Sequence, residues 1–146
     1  MSELLQYELT LPIAQEAELV AAGTIEKIAL QTGFDEKAMS EVRLAVIEAC
    51  INAFEHSESP DRRVYLTFVV EQDRLLVIVR DFGKGFDPTT VDRPRVQAKL
   101  KDLKRGWGLV LIRRLMDQVE FIDIAPGTEL RMTKFLAGSA TASAAP

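Results

Sequence analysis

Glu48 and Asn52 stand four residues apart in a segment whose apolar residues recur at helical spacing. On a helix that separation stacks the two side chains one turn apart on a single face. A carboxylate so placed can serve as a general base. An amide beside it can offer its carbonyl oxygen to a hard cation such as Mg²⁺. A solvated polar stripe on a partly exposed helix would carry the same residues, so the pair has two readings. A second group is Asp81-Phe82-Gly83-Lys84-Gly85, which directly follows a strand-like run. Two glycines in three residues let backbone approach a ligand closely or turn through positive φ. An aspartate at a strand end can accept a hydrogen bond from an exocyclic amine, or simply close an Asx turn. A third is Gly106-Trp107-Gly108-Leu109, read as the opening of a helix. Amides at a helix N-terminus form an anion site; alternatively, the glycines only end the preceding loop. That loop, Asp87 to Arg105, holds six Lys and Arg against three Asp, in a chain whose net charge is -4. Neither a GxxxxGK[ST] nor a GxGxxG pattern is present, so a nucleotide would need another architecture.

The elements that must carry these groups can be read around them. Leu5 to Leu11 is a short strand stopped by Pro12. Ile13 to Gln31 is helical (Leu19, Val20, Ile25, Ile28, Ala29) and ends at Thr32-Gly33. Asp35 is the N-cap of a second helix over Met39 to Glu55. That helix is apolar over most of its girth and should be largely buried. Glu41, Glu48, Asn52 and Glu55 occupy its one polar sector, with His56 at the edge. Val64 to Val70 and Leu75 to Val79 form a hairpin, and residues 88–105 a loop or lid. Gly106 to Asp117 is an amphipathic helix, and Val119 to Ile124 and Glu129 to Phe135 close the pattern as two strands. Hairpins and blocked helices imply an α+β two-layer sandwich: a mixed, mainly antiparallel sheet with about three helices on one face. Residues 1–136 make one domain, and the small residues of 137–146 read as a disordered tail.

Composition narrows the function. The acidic balance disfavours direct nucleic-acid binding. One cysteine, Cys50, and one histidine, His56, leave no zinc or haem ligand set. The N-terminus lacks signal-peptide character and no apolar run approaches membrane length, so a cytoplasmic domain without membrane contact is expected.

Taken together and in order, the three groups resemble the GHKL, or Bergerat-fold, ATPases and kinases. Glu48…Asn52…His56 resembles the N box, Asp81-x-Gly83-x-Gly85 the first glycine box, and Gly106-x-Gly108-Leu109 the second. Within the superfamily, the run from Glu48 to His56, Leu115-Met116-Asp117-x-Val119 and Gly127-Thr128-Glu129 resemble bacterial anti-sigma-factor serine/threonine kinases of the RsbW/SpoIIAB type. The resemblance spans residues 5–136. It implies ATP and Mg²⁺ as cofactors, with Asn52 as metal ligand and Glu48 as the base activating a serine hydroxyl. It places Asp81 on the adenine amine, Gly83 and Gly85 around the nucleotide, and Gly106, Gly108 and Leu109 at the phosphates. It also implies a homodimer, a sigma factor held by the kinase, and a STAS-domain anti-sigma antagonist as substrate. Two other functions fit the same boxes: a nucleotide-gated binding module without phosphotransfer, and a kinase acting on a scaffold STAS protein as a positive regulator. Retention of Glu48 favours an enzyme, because nucleotide binding alone needs no base.

Overall fold

The computed structural model describes residues 5–33, 35–56, 59–83, 100–123 and 126–135. Five strands, β1 (Leu5–Pro12), β2 (Arg63–Val70), β3 (Arg74–Asp81), β4 (Gln118–Asp123) and β5 (Thr128–Phe135), form one sheet in the order β1-β2-β3-β5-β4. Three helices accompany them: α1 (Glu18–Thr32), α2 (Glu36–His56) and α3 (Leu100–Leu115). Every ladder is antiparallel. The outcome is therefore narrower than a mixed sheet, because no parallel pair occurs among the described strands.

Strict alternation drives the layering. In β2 and β3 every second residue is buried (Val64, Leu66, Phe68, Val70; Leu75, Val77, Val79, Asp81). Direct register partners share a face, so Val79 lies beside Leu66 and Leu130, and Val77 beside Phe68 and Met132. The helices cover that face: Ile25 and Ile28 of α1, Val42 and Val46 of α2, and Leu109 and Ile112 of α3 join the same core.

All three helix starts depart from the sequence reading by three residues or more. α1 begins at Glu18 rather than Ile13, after a turn in which Glu16 takes φ 70°. Its buried residues are Ala21, Ala22, Ile25, Ile28 and Ala29, while Leu19 and Val20 are exposed. α2 starts one turn earlier than Met39, because the Asp35 carboxylate accepts the Ala38 N–H at 2.7 Å, which is N-cap geometry. Its girth is less buried than expected: Ala38, Val42, Ala45, Val46, Ala49 and Cys50 are buried, but Leu44 is exposed and Ile47 and Ile51 are half-buried. One sheet offers one contact face, so the far side of a helix stays open unless a further layer covers it. α3 starts at Leu100, six residues before Gly106. Gly33 closes α1 in the left-handed region, as the Thr32-Gly33 signal indicated. Residues 84–99, which contain most of the expected lid, and the expected tail at 137–146 lie outside the described residues.

Candidate functional site

The polar sector of α2 faces α3. A Cβ placed on Gly108 would lie 3.3 Å from Asn52 Nδ2 and 3.4 Å from Glu48 Oε2. The backbone of α3 thus rests directly on the acid–amide pair. Asn52 Nδ2 is buried and has no hydrogen-bond partner among the described residues. An orphaned buried amide carries a desolvation penalty unless a ligand completes it. Further along the sector, Glu41 pairs with Lys134 at 3.0 Å. The polar sector thus packs against α3 at Glu48 and Asn52 and against β5 at Glu41, while Glu55 at its far end is exposed. Cys50, on the dry side of the same helix, is fully buried. Burial first, and the Glu18 charge second, push its thiol up to about 12, so it is an inert core residue.

A second corner forms where β3 meets β5. Asp81 is buried, and its carboxylate accepts the Gly83 N–H at 2.9 Å. The Asx turn is therefore real, and it fixes the carboxylate's direction. Asp81 stands opposite Thr128 in register. Thr128 is buried on the same face, and its Oγ1 lacks a hydrogen-bond partner among the described residues. Gly127, at φ 100°, packs so tightly that a Cβ would come within 2.0 Å of the Asp81 carbonyl oxygen. On the opposite face Phe82 lies edge-on to Tyr65 at 5.3 Å and beneath the Arg80 guanidinium.

Every sequence-level candidate but Gly85 now has a place. Glu48, Asn52 and Gly108 come together; Asp81 and Gly83 form the other corner. Leu109 is a core residue, 4% exposed, and its side chain anchors α3. Gly106 lies within α3, and Gly85 lies outside the described residues. The expectation that Gly106 opens a helix is corrected: the amides of Gly106 and Gly108 lie beyond the first four, which alone lack intrahelical partners. Leu100 to Arg105 is rich in strong helix formers, and a glycine penalty of about 1 kcal/mol does not stop a helix whose later turns are packed. The fixed amide cradle expected at Gly106 is therefore absent from this conformation. Sequence reasoning quoted Gly127 and Thr128 only within the Gly127-Thr128-Glu129 resemblance and gave them no place beside Asp81. Only strand register brings them onto Asp81, and their short signal, a Pro-Gly turn before a strand, is common to many hairpins.

The profile described as Histidine kinase-like ATPase domain matches residues 13–134, and the chain belongs to that family. Among curated proteins it is 34% identical over 139 residues to the serine-protein kinase RsbW of Halalkalibacterium halodurans, covering 88% of this chain and 82% of that protein. The RsbW of Bacillus subtilis is 32% identical over 138 residues, with 90% and 86% covered. The crystal structure of the RsbU and RsbW domains of a Mycobacterium tuberculosis protein superposes with a TM-score of 0.68 at 18% identity, covering 90% of this chain and 32% of that longer one. A histidine kinase domain from Erythrobacter litoralis gives 0.55 at 18% identity over 92% of this chain and 65% of that one. At such identity the two structures speak for the fold, which is the α+β sandwich expected from the sequence.

Proposed function

We propose that this chain is an ATP- and Mg²⁺-dependent serine/threonine protein kinase and anti-sigma factor. Its substrate is a STAS-domain anti-sigma antagonist, and its second partner is a sigma factor. The observation that carries the kinase reading is the contact of Gly108 with Glu48 and Asn52. A base, a hard oxygen donor and bare helix backbone meet there within one helical turn.

The residues fit a magnesium nucleotide. No group of three or more His, Cys, Asp and Glu among the described residues could hold a metal ion alone. An ion bound through the Asn52 oxygen would thus complete its shell with phosphate oxygens and water, as Mg²⁺ usually does. Bound Mg²⁺ supplies neutralisation of phosphate charge. Glu48 accepts the proton of the attacking serine hydroxyl. Asp81, held by the Gly83 N–H, accepts a hydrogen bond from the adenine amine, and the Thr128 hydroxyl completes that recognition. Gly83 and Gly85 let the backbone close on the nucleotide. Gly108 lets phosphate approach α3 without a side chain in the way, and Gly106 extends that bare strip. In the described conformation the Gly106 and Gly108 amides are committed to the helix, so contact through them requires the start of α3 to unwind. The reading carries a cytoplasmic homodimer without nucleic-acid or membrane contact. The net charge of -4 speaks against nucleic-acid contact, and no described helix is long and apolar enough to cross a membrane. A kinase on a scaffold STAS protein would use the same site.

Calorimetry with ATP, with and without Mg²⁺, tests the site, and transfer to a STAS protein tests the chemistry. Asn52→Ala is expected to abolish metal-dependent binding. Glu48→Gln is expected to keep binding and lose about 10² to 10⁴ in transfer rate. Full transfer by Glu48→Gln would remove the base, and a binding-only, nucleotide-gated module would replace the kinase.

A further inference from the structure

β5 carries a lysine on its core face. Lys134 stands opposite Leu75 in register and is only 9% exposed. Its ammonium donates to the Glu41 carboxylate at 3.0 Å and to the Leu115 carbonyl oxygen at 2.6 Å. Glu41 belongs to α2, and Leu115 is the last residue of α3. Lys134 thus bonds to both helices at once. A buried ammonium is unfavourable unless paired, and an apolar side chain of similar volume would fill this place without that cost. Stability alone is therefore a weak reason for a lysine here.

The geometry supplies a better one. Gly108 lies against Glu48 and Asn52, while Leu115 shares the ammonium with Glu41. Leu115 is seven residues after Gly108, and Glu41 is seven before Glu48. The two helices therefore run antiparallel, with the ionic junction about two turns, or roughly 10 Å, from the Gly108 contact. At Gly108 α3 offers no side chain of its own and meets only the flexible tips of Glu48 and Asn52, so that contact by itself tolerates sliding. The junction at the opposite end sets the axial register. The residues that follow α3 are tied down as well. The Asp117 N–H donates to the Thr133 carbonyl at 2.9 Å, and the Phe135 N–H donates to the Asp117 carboxylate at 2.7 Å. These two bonds hold that end to β5, and the Lys134–Glu41 pair extends the connection to α2. A cation at the C-terminal carbonyls also suits the helix dipole.

We propose that Lys134 is a positioning residue: it sets the register of α3 on α2 and thereby seats Gly108 over Glu48 and Asn52. Its effect on nucleotide binding rests on the kinase reading above; the clamp itself does not.

The test is hydrogen exchange on full-length Lys134→Met, with Mg²⁺-ATP affinity measured on the same sample under conditions where circular dichroism shows it folded. Losing hydrogen bonds to a charged group should speed exchange of the 109–115 amides about tenfold, with α1 and β2 unchanged. Nucleotide affinity should fall by a similar factor, and Lys134→Arg should recover much of both. Unchanged α3 exchange would overturn the clamp. Equally faster exchange in α1 and β2 would also overturn it, by showing a merely structural role. Faster α3 exchange with unchanged nucleotide affinity would overturn the positioning of the site. If the wild type binds no nucleotide, the kinase reading falls and α3 exchange alone decides the clamp. If Lys134→Met does not fold, Glu41→Gln carries the same exchange test.

Discussion

The helical corner at Gly108 and the strand corner at Gly127 each press a glycine against a polar partner of the candidate site, but with different tolerances. At Gly108 an added Cβ would meet the tips of two side chains at 3.3 and 3.4 Å. Those tips can move by a few tenths of an ångström, and the helical backbone suits any L residue. At Gly127 the same atom would lie 2.0 Å from a backbone oxygen, at a φ of 100°. Nothing there can yield without moving Asp81 itself. The helical corner is thus adjustable and the strand corner rigid. That division suits a site in which one end recognises a flat, invariant group and the other must open and close around phosphates.

Alanine at each glycine breaks or sharpens this contrast most strongly. Gly127→Ala is expected to cost more than about 3 kcal/mol in urea unfolding, from clash and backbone strain together. Gly108→Ala should shift stability by less than about 1 kcal/mol, because gained helix propensity offsets the tight contact. Its damage should appear in nucleotide affinity instead. Equal costs at the two positions would show that the corners do not differ in rigidity.

Thr128→Val tests a subtler asymmetry. It removes a buried hydroxyl that lacks a partner among the described residues, so unfolding free energy should hold or rise by up to about 1 kcal/mol. ATP affinity should fall by about tenfold, the size of one lost hydrogen bond. A large loss of stability with unchanged affinity would make Thr128 a structural residue of the sheet.

The smallest effect at neutral pH belongs to Cys50, on the dry side of α2. Its thiol is raised from the ordinary 9.0 to about 12. The folded state therefore keeps a proton that the unfolded chain releases above pH 9. This contribution to stability is intact below pH 9 and is lost between there and about 12. The slope approaches about 1.4 kcal/mol per pH unit. Cys50→Ala should flatten alkaline unfolding by one proton's worth, and a rapid reaction of the native thiol with a disulfide reagent at pH 8 would contradict its burial.

How much of this was legible in the residues varies by element. Glu48 and Asn52 could be paired from spacing alone, because helical periodicity is a local property. Asp35 as an N-cap, Gly33 as a helix stop and the β2–β3 hairpin were readable for the same reason. The start of α3 was not. Two glycines in three residues look like a boundary, yet Leu109 and Ile112 anchor the helix in the core and the strong helix formers of Leu100 to Arg105 extend it back. Leu19 and Val20 matched the periodic pattern of α1, but the side of that helix turned to α2 and the core is the one that carries Ala21, Ala22, Ile25, Ile28 and Ala29.

Local patterning therefore specified the alternation that buries one sheet face, the polar sector of α2 and the glycine turn after β3, since each depends on residues a few positions apart. The tertiary structure alone decided that Thr128 and Gly127 stand against Asp81, that α3 lies over Glu48 and Asn52, and that Lys134, which also bonds Leu115, reaches Glu41 across 93 residues of sequence. Those contacts depend on strand register and helix docking. Both are settled by the burial of the whole apolar face at once, and no short stretch of chain contains that information.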